Sequence, residues 1–287
     1  MTTMTETHNA TPTSPSSSEA TGQARPRYKV TGLRVLRSEW AKLWTLRSSW
    51  ITVALGLAFL IAFGVISAMQ YSPGGNADAN GPDLTDATAL SLTLFGVTFA
   101  QLAFGILGVL VTAGEYSTGM IRSTLAAVPR RLPVLWSKSA VFGLVTFALA
   151  TIGAFVTFPL ANQLVSGTAA ELALTDSGVV RGLLGGGLYL GLIAVIGTAL
   201  GALLRSVAGG IAALVGILML VPNLTSLLPS SWEDSVTKYL PSNAGESMYS
   251  LTHDAASLSP TAGLLVLLGW AALALAGAAY RLVRTDA

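Results

Sequence analysis

The chain alternates between long apolar segments and short polar connections. Six apolar segments can be read from the sequence, at residues 50–69, 91–113, 138–160, 183–204, 207–224 and 261–280. A hydrocarbon core about 30 Å thick needs about 20 apolar residues per helix, and these segments come close to or exceed that length without a charge in their interiors. A soluble core would instead require helices with a polar face. The pattern predicts an all-α polytopic membrane protein with six transmembrane helices.

Residues 30–49 show an amphipathic helical pattern. One stripe is apolar, comprising Leu33, Leu36, Trp40, Leu43 and Trp44. The remaining arc is basic or hydroxylated, comprising Arg34, Arg37, Ser38, Lys42 and Thr45. Such a helix lies in the membrane interface, where Trp is favoured and cations meet anionic headgroups. We predict an interface helix just before the first span, which anchors the chain and offers part of its polar face to a cytoplasmic protein.

The connection after the second segment predicts a short cytoplasmic helix. Residues 118–128 place apolar side chains on one side, and Pro129 ends the helix because the residue before a proline disfavours helical geometry. Arg130, Arg131 and Lys138 follow, and we expect them to anchor the third span at the membrane surface.

The long connection after the fifth segment predicts two short helices. Ser231, followed by acidic residues, resembles a helix start, Pro241 ends that helix, and Met248 and Leu251 mark a second apolar stripe. We interpret both helices as lying on the outer membrane interface or dipping into it, and the alternative is a surface loop with nascent helices.

Glycine spacing in the fourth segment indicates close helix packing. Gly187 with Gly191 and Gly197 with Gly201 each have the GxxxG spacing that lets helix backbones approach. Both packing within the chain and a dimer seam fit this spacing. The fifth segment is shorter, and we expect Pro222 and Asn223 to interrupt it.

Charge gives these segments an orientation. If they cross the bilayer alternately, all but two of the 16 Lys and Arg residues fall on one side, and the exceptions are Arg181 and Lys238. The positive-inside rule makes the basic side cytoplasmic. We therefore predict a multi-pass plasma membrane protein with both termini in the cytoplasm. Residues 1–27 predict a disordered cytoplasmic tail without the apolar run of a secretory signal, and residues 28–287 form the transmembrane domain.

The composition argues against several kinds of chemistry. The chain has no Cys, and its two His residues, His8 and His253, are far apart in sequence, so the usual zinc and haem sites lack ligands. Asp78, Asp83 and Asp86 lack the ligand density of a calcium-binding loop. No GxxxxGK[ST] motif occurs. We expect no enzyme activity, no cofactor and no metal site in this chain. Its cations are juxtamembrane, so they do not indicate a nucleic-acid partner.

Two stretches of sequence carry a family resemblance. Residues 37–50 read RSEWAKLWTLRSSW, and residues 114–125 read GEYSTGMIRSTL. Together they resemble the N-terminal interface helix, and the loop between spans two and three, of ABC-2 type transporter permeases, especially those of actinobacteria. The resemblance covers about residues 30–287. It implies six spans per subunit with both termini inside, a pathway formed by two subunits, and re-entrant outer helices between spans five and six.

The same resemblance implies a coupling helix after span two, seated on a separate ATPase subunit. The coupling loop would comprise Glu115, Tyr116, Gly119, Arg122 and Leu125. The interface helix beside it would comprise Arg37, Glu39, Trp40, Lys42, Leu43, Trp44 and Arg47. Within the loop, Glu115 and Arg122 would bridge to the ATPase or to each other; alternatively, Glu115 caps the helix end and Arg122 meets phosphate headgroups.

The predicted function is therefore that of the permease subunit of an ABC exporter, with ATP and Mg bound by the partner ATPase. The second permease is either a copy of this chain or a paralogue, and the transported substrate stays open. The alternative function is a channel, a secondary carrier or a membrane assembly factor that works without an ATPase.

Overall fold

The computed structural model describes residues 32–45, 47–73, 87–120, 132–225, 227, 235–251 and 257–284. The chain in these ranges is helical and contains no strand. Several sequence predictions lie outside them: the tail at residues 1–27, the acidic residues Asp78, Asp83 and Asp86, the helix start at Ser231, and His253.

The described helices are joined by connections that range from one residue to 18 residues. In chain order they are α1 Gly32–Thr45, α2 Arg47–Gln70, α3 Ala89–Phe95, α4 Val97–Ser117, α5 Leu132–Leu164, α6 Val179–Leu204, α7 Val207–Val215, α8 Val221–Thr225, α9 Pro241–Tyr249 and α10 Pro260–Arg284. A π-helical turn, Gly216–Leu220, joins α7 to α8, and a 3₁₀ turn, Thr237–Tyr239, precedes α9.

The described helices include six that are long and apolar enough to cross a membrane. They are Ser49–Gln70 within α2, Ala89–Ser117 formed by α3 and α4, Leu132–Leu164, Val179–Leu204, Val207–Thr225 formed by α7, the π turn and α8, and Pro260–Arg284. Each overlaps one apolar segment of the sequence. The prediction of an all-helical chain with six such segments is confirmed, whereas the side of the membrane on which each end lies stays a prediction.

The most buried of these helices is α6, which packs against α4 along one side and α5 along another. On the α4 side, a Cβ on Gly197 would overlap the carbonyl oxygen of Gly105, and a Cβ on Gly201 would lie 2.7 Å from that of Val109. Only glycine therefore fits at these two positions of α6 without displacing the backbone of α4.

On the α5 side, the contact is equally close. A Cβ on Gly187 would overlap Thr151 Oγ1, and a Cβ on Gly191 would lie 2.9 Å from the carbonyl oxygen of Gly143. The structure thus places all four glycines of the two GxxxG spacings in contacts within the chain. This arrangement matches the first of the two possibilities that the spacing left open.

The fifth span differs from its prediction, because Pro222 does not interrupt it. The helix runs from Val207 to Thr225 through the proline. Proline lacks an N–H and crowds the carbonyl of the preceding turn. Here a π turn comes just before it, and the Val221 N–H bonds to the Gly216 oxygen five residues back. This wider turn accommodates the ring without ending the helix.

The segment between the last two spans packs against the bundle. Trp270 Nε1 of α10 donates a hydrogen bond to the Tyr239 oxygen at 2.9 Å, and Arg181 Nη2 of α6 donates one to the Ser250 oxygen at 3.0 Å. Pro241 was expected to end a helix, and the helical turns at residues 235–239 do end before it. Pro241 is also the first residue of α9. Proline is favoured at that position because the first N–H of a helix has no partner within it. A location of α9 at the outer membrane interface stays a prediction.

The interface helix α1 has three distinct faces. One face packs mainly on α5 and buries Val35 and Glu39. The opposite face is apolar and exposed, with Leu33 79%, Trp40 47% and Trp44 53% exposed. A third, basic face exposes Arg34 and Arg37. The predicted apolar stripe is therefore mostly turned away from the protein, where lipid would cover it.

The close contact between α6 and α4 gives a test of the fold. We expect Gly197→Ala to reduce the free energy of unfolding in detergent micelles by about 1–3 kcal/mol, because the added methyl group forces the two backbones apart. Gly269→Ala in α10 is the matched control, since no atom lies within 4 Å of its Cβ position. It should leave stability unchanged or raise it by up to about 1 kcal/mol. Equal losses in both variants would contradict the packing described here.

Candidate functional site

Four charged side chains meet where α1 lies against the neighbouring ends of α4 and α5. Lys138 Nζ lies 2.7 Å from Glu39 Oε2 and 2.8 Å from Glu115 Oε1. Lys42 Nζ lies 2.7 Å from Glu39 Oε1 and 3.1 Å from Glu115 Oε1. The four contacts close a circle in which acidic and basic groups alternate. We call these four residues the ion ring.

The ion ring is largely withdrawn from solvent. Glu39 and Lys138 are each 4% exposed and Glu115 is 7% exposed, whereas the side chain of Lys42 is 30% exposed. Burying an ion costs several kcal/mol unless an opposite charge and hydrogen bonds compensate it. In the ring every charge has two opposite neighbours and the total charge is zero, so each of the four charges is balanced by an opposite charge.

Two pKa values show the balance of these effects. Burial raises the pKa of Glu39, but the charge and hydrogen bond of Lys138, together with those of Lys42, outweigh it and hold that pKa below the ordinary value. Burial lowers the pKa of Lys42, but the hydrogen bond to Glu39 and the charge of Glu115 outweigh it and raise that pKa. Both groups are therefore held in their charged forms.

The local sequence explains how the ring members come together. Glu39 and Lys42 are three residues apart, so they lie on one face of α1. Glu115 lies in the last turn of α4, which ends before Gly119, a residue with a φ of 73° that favours glycine. Lys138 lies in the second turn of α5. The connection between α4 and α5 therefore begins just after Glu115, and Lys138 lies six residues beyond Leu132, where α5 begins.

Of the residues predicted for the coupling loop, Glu115 alone belongs to the ring. Tyr116 turns toward the end of α6, where the Arg205 guanidinium lies 5.2 Å from the centre of its ring. Gly119 is exposed just beyond α4. This part of the described chain stops at Met120, so it excludes the other predicted members, Arg122 and Leu125, and most of the predicted helix at 118–128.

The interface-helix prediction requires a correction at Lys42. The sequence placed Lys42 on the polar arc that meets lipid headgroups, together with Arg34 and Arg37. The structure turns it toward the bundle, because Glu39 on the same face is buried and requires an opposite charge. Arg37 is exposed, as expected for that arc.

The remaining interface-helix residues lie outside the ring. Trp40 and Trp44 have ring centres 5.7 Å apart, and Trp44 and Trp50 have centres 4.6 Å apart, so these three form one exposed aromatic patch. Leu43 packs partly against the core. The side chain of Arg47 lies outside the described residues.

Sequence reasoning did not identify Lys138 as a site residue. It was expected to anchor the third span, but its side chain is buried between two carboxylates. A signal was available, because Glu39 interrupts a basic helix and Glu115 ends an apolar span. Each carboxylate needs a cation if it is buried. The sequence does not show which cation the fold brings to Glu39 and Glu115.

No group of three or more His, Cys, Asp or Glu residues suitable for a metal ion occurs in the described part of the chain. Comparison with protein-family models and with curated proteins finds no match for this chain. The site is therefore defined by its geometry and by the two sequence motifs.

The ion ring predicts a large loss of stability when one cation is removed. Lys138→Met should reduce the free energy of unfolding by about 3–5 kcal/mol, because it leaves two buried carboxylates with one ammonium group. In Lys138→Met with Glu115→Gln the uncompensated charge is also removed, so the double variant should be more stable than Lys138→Met. Denaturant unfolding in micelles measures both. Lys238→Met, outside the ring, is the control. A double variant less stable than the single variant would contradict the charge argument.

The ring also predicts how stability depends on pH. The pKa of Glu39 is lowered in the folded state, so its contribution is complete above its ordinary pKa of 4.5 and is lost as the pH falls through the folded pKa. The pKa of Lys42 is raised, so its contribution is complete below the ordinary value of 10.5 and is lost as the pH rises through the folded pKa. Thermal unfolding midpoints measured across this range should fall at both ends. Glu39→Gln should flatten the acid limb, and an unchanged acid limb would refute this assignment.

Proposed function

We propose that this chain is the membrane-spanning permease subunit of an ABC exporter of the ABC-2 type, located in the plasma membrane with both termini in the cytoplasm. Six helices long and apolar enough to cross a membrane support this proposal. The two motifs at residues 37–50 and 114–125 support it as well. A separate ATPase subunit would bind ATP and Mg, and a second permease, identical or paralogous, would complete the pathway.

The observation that carries this proposal is the position of the ion ring. Glu115 lies in the last turn of the helix before the connection that would contact the ATPase, and Lys138 lies in the second turn of the helix after it. Glu39 and Lys42 extend the same set of ion pairs to α1. Buried ion pairs resist separation, because a charge left without its partner is costly. A displacement applied to this connection would therefore move α1, α4 and α5 together.

Close helix packing would carry that movement to the centre of the bundle. Both α4 and α5 lie against α6 along contacts in which glycine allows the backbones to approach. Tightly packed elements shift as rigid bodies rather than deform continuously. An ATPase acting below the membrane would thus drive rearrangement of the spans without contacting them directly.

The proposed orientation can be tested by cysteine labelling. The chain has no Cys of its own, so only an introduced cysteine can react. Ser72 after α2 is exposed and would lie outside, whereas Arg284 at the end of α10 is exposed and would lie inside. A membrane-impermeant maleimide should label Ser72→Cys in intact cells and should label Arg284→Cys only after permeabilisation. The opposite pattern would reverse the orientation.

The function itself is tested through the partner. The purified chain should retain an ATPase subunit, identified by mass spectrometry through its Walker A motif. Arg122→Glu should reduce the recovery of that ATPase by about tenfold, the effect of roughly 1.4 kcal/mol of charge repulsion. Lys238→Glu is the matched control, since it makes the same charge change on the proposed outer side. Solute flux through vesicles that contain this chain alone, without ATP, would instead support a channel or a secondary carrier.

A further inference from the structure

A cavity of about 460 Å³ lies beside the ion ring, between α1, α2, α4 and α5. At one end its lining includes all four members of the ring. Further from the ring the lining is mainly apolar, with the hydroxyl groups of Ser49 and Thr52 beside Leu107, Leu110, Val111, Val141 and Phe142. Pockets of about 300–1,000 Å³ commonly hold small ligands, so this volume admits one slender molecule.

The polar and apolar ends of the cavity are separated along the axis of α4. Leu107, Val111 and Glu115 follow at four-residue intervals, so they lie on one face of the helix. With a rise of 1.5 Å per residue, Leu107 and Glu115 are about 12 Å apart along this axis. The cavity therefore matches a molecule with a polar head at one end and an apolar chain of similar length.

The rim of the cavity is open both near its apolar part and near the ion ring. Leu107 and Phe142 are 3% and 0% exposed and form its floor, whereas Leu110 is 38% and Met120 44% exposed. Leu110 belongs to a span, so its exposed side would face lipid. An amphiphile dissolved in the adjacent leaflet would have access from that side.

The polar end contains an unused hydrogen-bond acceptor. Glu115 Oε1 accepts hydrogen bonds from Lys42 and Lys138. The buried Oε2 makes no hydrogen bond within the described chain. A buried acceptor without a donor is unfavourable. Glu115 is part of the cavity lining. Because the terminal torsion of a glutamate is broad, a ligand can be bound if the carboxylate rotates until Oε2 faces the cavity.

The charge of the ring selects the kind of donor. The four groups already sum to zero, so an ammonium or carboxylate head would introduce a buried charge without a partner. A hydroxyl group donates a hydrogen bond without adding charge. The complement of this site is therefore a neutral donor attached to an apolar chain.

We propose that this cavity binds an uncharged amphiphile, a single apolar chain that ends in a hydroxyl group. The hydroxyl donates to Glu115 Oε2, and the chain lies along Leu107, Leu110 and Val111. Both a free long-chain alcohol and a membrane monoacylglycerol have this chemistry. The proposal requires no ATPase partner and holds independently of the transport function.

The test uses a photoactivatable long-chain alcohol added to the full chain in nanodiscs, with crosslinked residues mapped by mass spectrometry. Crosslinks should fall on the cavity lining. Unlabelled compounds of equal chain length are then added as competitors. The alcohol should compete about tenfold better than its methyl ether, because the ether cannot donate the one hydrogen bond to a charged group. The corresponding amine and carboxylate should compete less well than the alcohol. Equal competition by alcohol and ether, or stronger competition by either ion, would overturn the proposal.

Two variants locate the binding. Leu110→Trp should occupy the cavity and reduce crosslinking about tenfold, while thermal unfolding shows that the protein remains folded. Leu265→Trp is the control, because Leu265 is also exposed, at 69%, and is absent from the lining of this cavity. A monoacylglycerol with the same chain shows whether the ligand is a membrane lipid or a free alcohol. Stronger competition by the monoacylglycerol than by the alcohol indicates a membrane lipid. Weaker competition indicates the free alcohol. Equal loss of crosslinking in both Trp variants would refute the site.

Discussion

The approach of α4 and α5 to α6 is the constraint on which the other features of this bundle depend. Apolar side chains gain little by leaving lipid for protein, so helices in a membrane associate largely through close packing. Glycines on two sides of α6 permit that closeness. Two helices held against the same third helix are also fixed relative to each other. Glu115 on α4 and Lys138 on α5 therefore meet at 2.8 Å.

The ion ring gives α1 a docking mode that its amphipathic pattern does not suggest. In a soluble protein an amphipathic helix turns its apolar side toward the core. Here Glu39 and Lys42 face the bundle, while Trp40 and Trp44 face outward. The helix is therefore held on one side by ion pairs and is free on the other to enter a membrane surface. One short helix can thus make ion pairs with the bundle on one side and an apolar contact with lipid on the other.

The sequence predicted the spans well because a bilayer requires a long, uniformly apolar segment wherever a helix crosses it. The existence of α1 was also predictable, since its helical periodicity is strong. The ring was not, because periodicity shows which face is apolar but not which polar residue finds a partner. Lys138 reaches Glu39 across 99 positions and Lys42 reaches Glu115 across 73. Pro222 was misjudged for a similar reason, since a neighbouring π turn decides whether proline ends a helix.

The separation between Glu39 and Lys138 has a consequence for assembly. As the ribosome produces the chain, Glu39 and Lys42 emerge long before Glu115 and Lys138. Until α5 is in place, a buried Glu39 would lack one of its two cations, so its hydrated state at the membrane surface is favoured. Closure of the ring must then await the third span. The first described helix of the chain thus reaches its native position only after α5 is in place, and the order of synthesis is not the order of docking.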